Sequence, residues 1–287
     1  MTTQMTHPMT YFRRFPLTRF RPGAVVAAAL LCVFAAAFTA VDAHAAAEVH
    51  RLSLVLAGVP TGVNGGDFND AIDHYNRVTL EPAPHYEAMP HISFTWFFDA
   101  ELRYFVRPNF AITAGVGQLR AGHHQEFLPA LSQAIDIRTE VLTVPVHVGG
   151  AYYMQPYNQG DFQARAFVGG GLVQYTYTKA SFTQTLSNAD SLLDLRMGGT
   201  FRRSATQDSP GYYLEGGAHM FFASRFSALI AVVYRSGEIR NMVVTENVNN
   251  GVTQNPAPGS PALTPDGLPL KLDVGGVGFK MAVGIGF

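Results

Sequence analysis

The sequence predicts an all-β protein, an up-and-down antiparallel transmembrane β-barrel of about eight strands with four long loops on one rim. Three observations predict it. From Ile92 to Tyr104, the residues Ile92, Phe94, Trp96, Phe98, Ala100, Leu102 and Tyr104 alternate with Ser93, Thr95, Phe97, Asp99, Glu101 and Arg103. Successive strand residues point to opposite faces, so this is one apolar and one charged face, in a run longer than the ~5 to 6 residues of a globular strand. Similar runs recur, and the intervals between them alternate between long and short. The last residues repeat the pattern, with Phe279, Met281, Val283, Ile285 and Phe287 alternating with Lys280, Ala282, Gly284 and Gly286.

The N-terminal segment reads as a leader. Arg13, Arg14, Arg19 and Arg21 precede an apolar run from Ala24 to Ala40, which ends in the small-residue stretch Ala43, His44, Ala45. This is the layout of a signal peptide over residues 1–46, followed by a barrel domain over 47–287. The alternative is an uncleaved N-terminal anchor, and export follows either way. Arg13-Arg14 hints at the twin-arginine route, which carries folded proteins, whereas a membrane barrel has to cross the inner membrane unfolded; the general secretory route is expected. Cys32, the only cysteine, lies inside the leader, so the mature chain is expected to have no disulfide and no thiol chemistry. Loss of the leader removes four arginines and Asp42 and moves the formal charge from −1 to −4. That gives no basis for a nucleic-acid partner.

With 47% hydrophobic and only 14% charged residues, the chain has apolar bulk and little charge for a soluble surface. After the leader no stretch approaches the ~18 to 20 apolar residues of a membrane helix, so a membrane would have to be crossed by strands. Strands are expected at about Val49 to Ala57, Ile92 to Tyr104, Phe110 to Leu119, Thr139 to Met154, Phe162 to Tyr177, Tyr212 to Phe222, Ser227 to Arg235 and Leu272 to Phe287. The long intervals are Gly58–His91, Arg120–Arg138, Thr178–Gly211 and Ser236–Lys271; tight turns alternate with them.

Aromatic rings mark both ends of the strands, as interfaces of a bilayer favour flat amphipathic groups. On the turn side these are Tyr104, Phe105, Phe110, Tyr152, Tyr153, Phe162, Phe221, Phe222 and Phe226; on the other side they are Tyr175, Tyr177, Tyr212, Tyr213 and Tyr234. Glycines such as Gly115, Gly117, Gly149, Gly150, Gly169 to Gly171, Gly216 and Gly217 suit a tightly curved wall. The rival architecture is a soluble barrel of the lipocalin kind, whose apolar face turns inward around a ligand. Strand length, paired aromatic belts and glycine content favour the membrane.

The final strand, Phe279 to Phe287, resembles the C-terminal recognition strand of bacterial outer-membrane proteins. With the leader and the loop rhythm, it makes the chain similar to the eight-stranded barrels of the OmpA and OmpX type. The resemblance covers nearly all of the mature chain and is one of architecture, with no function-specific motif matched. It implies an outer-membrane location, extracellular long loops, contact with outer-membrane lipid, and recognition of the last strand by the barrel assembly machinery. Apolar parity slips between Val274 and Val277, for which a β-bulge at Gly275 and Gly276 is the simplest account.

If the apolar face meets lipid, Asp99, Glu101, Arg103, His147, Arg165, Glu215, His219 and Lys280 point into the lumen and should pair into a polar network. The alternative is a narrow polar conduit. His123, His124 and Glu126 offer metal-ligand chemistry, but their spacing fits no zinc motif, and an ordinary solvated loop is expected. His219 and Glu215 with Tyr213 suggest a general base, yet no serine partner is evident, since Ser227 reads as lying at the wrong rim. In the first long interval Asp67 to Asn76 reads as a short helix, with Asp67 as cap and an apolar stripe of Phe68, Ile72 and Tyr75 packing on the loop's own base. Phe127, Leu128, Leu131 and Ile135, and then Leu192, Leu193 and Leu195, give the second and third loops apolar patches. The fourth, Asn247 to Pro269, is rich in Asn, Pro and Gly and is expected to be mobile.

The expected role is therefore non-enzymatic, without cofactor or metal: a monomer that supports the outer membrane or acts in surface interaction through its loops. Transport of small or apolar molecules is the second reading, by a lateral opening near Pro145, which has no N–H to give its neighbour strand. A lipid-modifying or proteolytic enzyme, or one acting on glycan, is the third.

Overall fold

The computed structural model describes residues 50–287 except 83–86, 131–132, 160–161, 189–198 and 223–224. The expected signal peptide, Leu131 and the Leu192, Leu193, Leu195 patch lie outside the described residues, as do the side chains of Phe127 and Leu128. Eight long strands follow the expected order: β1 (Leu52–Gly62), β2 (Phe94–Arg107), β3 (Phe110–Ala130), β4 (Gln133–Tyr153), β5 (Phe162–Asn188), β6 (Ser209–Phe221), β7 (Phe226–Ser236) and β8 (Gly276–Gly286). Each pairs antiparallel with the next, and β8 returns to β1 with Leu54 opposite Ile285 and Ala57 opposite Ala282. Closure leaves no strand edge in the ring, which a hydrocarbon surrounding requires because it cannot hydrogen-bond a free amide.

The faces sort by parity. On β2, Phe94, Trp96, Phe98, Leu102 and Tyr104 are exposed, while Thr95, Phe97, Asp99, Glu101 and Arg103 are buried. On β8, Phe279, Met281, Val283 and Phe287 are exposed and Lys280 is buried. The apolar belt is thus outside and the charge inside, the reverse of a lipocalin. Ile92 departs from the expected pattern. It precedes β2 and is 1% exposed, in the core beside the first long interval rather than on the lipid face.

The aromatic belts also need correction. Tyr104, Phe110, Tyr152, Phe222 and Phe226 do face out at the turn side, and Tyr177, Tyr212 and Tyr234 do so at the other. Phe105, Tyr153, Phe221, Tyr175 and Tyr213 are buried inside the barrel. Adjacent aromatics such as Tyr152 and Tyr153 fall on opposite faces of a strand, so only one of each pair can reach lipid. The parity slip before β8 is a break rather than a bulge. Leu272–Asp273 pairs with Glu238–Ile239 in a short ribbon, and the β8 ladder to β7 resumes at Gly276 in the same register, with no residue inserted.

Parts of three of the long intervals are strand where loops were expected. A crossing needs about 9–11 residues, yet β3 and β4 have 21 each and β5 has 27. Their outer ends form a sheet beyond the rim: the β3–β4 hairpin, then β5, then Gly199–Thr206, Val243–Asn249 and Val252–Thr253. The fourth interval is ordered around this sheet, with Ala262 N–H bonded to Met242 O at 2.7 Å and Leu270 N–H to Ala262 O at 2.8 Å.

Strand β5 changes partner to join the two sheets. Gln163 to Tyr175 pair with β6, whereas Lys179 to Leu186 pair with Gly199–Thr206. Between them Tyr177 and Thr178 bulge opposite Thr143, Tyr177 taking a φ of 51°. The Thr143 and Thr178 hydroxyls bond at 2.8 Å and Thr176 Oγ1 donates to Val144 O at 2.7 Å, so the interrupted ladder is partly replaced by side chains.

Where the wall is tightest, glycine is required by the neighbouring backbone. A Cβ on Gly217 would lie 2.0 Å from Ile230 O, but one on Gly216 would meet only ordinary contacts, the nearest at 3.7 Å. Gly217→Ala is expected to reduce or abolish the fast-migrating unboiled band on a gel and Gly216→Ala to preserve it; equal behaviour would refute this packing. At the tip of the outer sheet, Asp136 Oδ2 is 2.6 Å from His124 Nε2 and Oδ1 is 3.3 Å from Arg138 Nε. Partial burial works to raise the Asp136 pKa, but these partners outweigh it and hold the carboxyl below its ordinary value. A depressed carboxyl stabilises above its unfolded pKa and loses that contribution as pH falls through the folded value. The protection factors of the outer β3–β4 amides, with the intrinsic pH dependence of exchange divided out, should therefore fall below about pH 4 in the native chain more than in Asp136→Asn.

Candidate functional site

The lumen is filled by ion pairs contributed from strands that are far apart in sequence. Arg103 on β2 is fully buried. Its Nε donates to Glu101 Oε1 at 2.5 Å, Nη2 to Glu215 Oε1 on β6 at 2.7 Å, and Nη1 to Tyr153 OH on β4 at 2.7 Å. Each guanidinium nitrogen thereby has a partner, and the flat face lies 4.9 Å from the Phe167 ring centroid. Lys280 on β8 sits among the carboxylates, its Nζ 3.2 Å from Glu101, 3.3 Å from Glu215 and 3.6 Å from Asp99. His147 Nε2 is 3.0 Å from Asp99 Oδ1. Ligand atoms of Asp99, Glu101 and His147 come within 4.8 Å of one another, but the Lys280 ammonium already holds the cationic position among them.

A second chain of bonds runs towards the turn side. Tyr153 OH accepts from Arg103 and lies 3.1 Å from His219 Nδ1, and His219 Nε2 lies 2.9 Å from Ser227 Oγ. The expectation that Ser227 lies at the wrong rim is incorrect: it is diagonal to His219 across the β6–β7 ladder, on the inner face. Glu215 turns away to Arg103 and Lys280, and Tyr213 bonds Thr113 at 3.0 Å, so neither supports His219.

All eight side chains expected in the lumen point inward. Arg165 stands apart from the central cluster, donating to Gln163 Oε1 at 2.9 Å and to Pro108 O. Arg235 is the inward charge that parity did not single out: it is 4% exposed, donates to Thr61 Oγ1 at 2.7 Å, and lies 4.7 Å from the Phe97 ring. Strand β7 is apolar on both faces, with Ile230 and Val232 out and Leu229 and Ala231 in, so its alternation gave no inner face to assign Arg235 to. The space left among Asp99, His147, Arg235 and Lys280 is about 30 Å³, room for about one water. At Pro145 the β3–β4 ladder skips Gly117 and Gln118, but register is unchanged where pairing resumes at Leu119 and Thr143.

The outer sheet is the second place where side chains converge. Helix α1 (Asp67–Tyr75) lies against it, burying Phe68 and Ile72, with the Tyr75 ring 5.2 Å from Phe182. Asp67 does not cap the helix; Gly66, at φ 55°, occupies that position and Asp67 Oδ2 accepts from Lys271 N–H at 3.0 Å. Two asparagines fix the helix instead. Asn69 exchanges bonds of 2.9 and 3.0 Å with the backbone of Ile92, and Asn76 exchanges bonds of 2.8 and 3.0 Å with that of Met89. His123 and His124, as neighbours on β3, point opposite ways. His123 bonds His91 O at 2.8 Å while His124 bonds Asp136, so they share no site with Glu126.

A closed wall of eight strands, apolar towards its surroundings and ion-paired within, defines a transmembrane β-barrel of the outer-membrane kind. The profile of the outer membrane protein beta-barrel domain matches residues 26–254, and the chain belongs to that family, which places it in the outer membrane. Among solved structures the chain is similar to Ail, the attachment invasion locus protein of Yersinia pestis, at 12% identity and a TM-score of 0.28, over 83% of this chain and 98% of that one. A comparison with curated proteins found no match.

Removing one partner of a buried ion pair strands the others. Arg103→Met is expected to cost about 3–5 kcal/mol, read as a lower urea midpoint from the fluorescence of Trp96, the only tryptophan. Adding Glu101→Gln should recover part of that loss, because the two residues are coupled; strictly additive effects would show that the pair does not act as a unit.

Proposed function

We propose that this chain is a monomeric, non-catalytic surface-interaction protein, in which the barrel is an anchor and the outer sheet with helix α1 is the working part. The observation that carries this reading is the length of β3, β4 and β5. They continue well past the ~9–11 residues that a bilayer requires into an ordered external sheet. The filled lumen beneath supports an anchor over a conduit, and the unbroken register across Pro145 supports a closed wall over a lateral gate. Glu215 pairs with Arg103 and Lys280 rather than with His219, so no carboxylate among the described residues orients that imidazole towards Ser227, which supports a structural bond over a catalytic one. The lipid-facing residues Phe279, Met281, Val283, Ile285 and Phe287 are the surface we assign to recognition by the barrel assembly machinery, with outer-membrane lipid as the permanent neighbour.

The test compares cells displaying the intact chain with cells in which residues 121–141 are replaced by an Asn-Gly turn between the paired Arg120 and Leu142. Equal amounts in the outer membrane and reduced adherence to surfaces or to other cells are expected only for the shortened chain. Equal adherence, or single-channel steps from the intact chain in planar bilayers, would overturn the proposal.

A further inference from the structure

Between helix α1, the outer sheet and the segment leading to β8 lies a groove of about 530 Å³, within the ~300–1,000 Å³ of small-molecule sites. Its floor is three cross-strand pairs: Ala180 with Ala205, Phe182 with Arg203, and Gln184 with Phe201. Ile72 and Tyr75 of the helix form one wall, and Leu263, Pro265 and Leu270 the other. The apolar residues outnumber the polar ones, and the polar ones are one-sided in charge. The lining contains Arg203 and His74 and, among the described residues, no carboxylate.

Arg203 is the unusual member. It is half-buried, and that burial pushes its guanidinium below the ordinary value. Among the described residues it makes no salt bridge, and its hydrogen bond to Leu263 O is a long one of 3.4 Å. Of the other described arginines in this region, Arg120, Arg138 and Arg240 pair with carboxylates, and Arg77 and Arg202, which do not, are exposed to solvent. A guanidinium partly stripped of water, set in an apolar trough without a counter-charge, is complementary to a ligand carrying one anionic group on an apolar body. A planar carboxylate matches its fork geometry.

We propose that this groove binds a free alkyl carboxylate, with the chain lying over Ala180, Ala205 and Phe182 and the carboxylate on Arg203. The proposal rests on the reading of the outer sheet as the working part and gives that part a ligand class. The groove lies in front of α1, whose position is set by the Asn69 and Asn76 bonds, so the site is held open by the fold itself.

The full-length mature chain is folded into phosphatidylcholine nanodiscs, its heat-dependent gel shift is verified, and it is dialysed against radiolabelled decanoate, with protein-free nanodiscs as the blank. One saturable site per chain is expected above the blank, with decanoate held about tenfold more tightly than decanol, as a charged hydrogen-bond pair would give. Arg203→Gln should abolish that preference while leaving decanol binding, and Ala205→Phe should abolish both. Binding no greater than the blank, or a preference that survives Arg203→Gln, would overturn the proposal. If Ala205→Phe fails to fold, the decanoate and decanol comparison in the native chain and in Arg203→Gln still decides it. A chain that supports adherence but binds no decanoate overturns the ligand assignment alone; one that binds decanoate without supporting adherence overturns only the adherence reading.

Discussion

Inside a bilayer no water is available to a backbone amide, and this constraint governs the rest of the molecule. Every strand in the membrane must have two neighbours, so the sheet has to close, and β8 has to find β1. Closure in turn creates a confined interior. Eight strands leave too little space for solvated charge, so Arg103, Lys280, Asp99, Glu101 and Glu215 must answer one another. The tight curvature brings backbones together at Gly217, and the inner aromatics Phe105, Tyr153 and Phe167 fill what the ion pairs leave.

Beyond the rim the constraint lifts, and the same strands behave differently. There β5 exchanges one neighbour for another at the Tyr177 bulge, the sheet opens, and its inner surface becomes available to helix α1. The helix covers only part of that surface. What remains is a trough with an unanswered guanidinium.

Much of the barrel was legible in the sequence because lipid on one side and charge on the other force a clean period of two. The placement of Asp99, Glu101, Arg103 and Lys280 follows from that alternation alone. It fails where the two faces are alike, as on β7, and Arg235 was missed for that reason. It also fails for neighbouring aromatics: two rings in succession look like one belt, although one of them must face inward, as Tyr153 does. The external sheet left a weaker trace. Ile135, Ile137, Thr139 and Val141 do alternate with Asp136, Arg138 and Glu140, but polar residues at high density read as loop when nothing in the sequence shows what they pack against. The groove arises from pairings between β5 and Gly199–Thr206, and no local pattern specifies such a pairing.

Lys280 belongs to the last strand, its carboxylate partners to the second and sixth. Glu215 lies two strands from Lys280 on the same side of the seam, whereas Asp99 and Glu101 lie across it, so these two carboxylates gain the Lys280 ammonium only when the ends of the chain meet. Completion of the ring brings Lys280 to Asp99 and Glu101 at the same moment as it supplies the missing hydrogen-bond ladder. The network therefore acts as a latch on closure: a partly zipped wall is penalised twice, and the finished one resists reopening at the β1–β8 seam, where a barrel assembled from a single chain would otherwise be weakest.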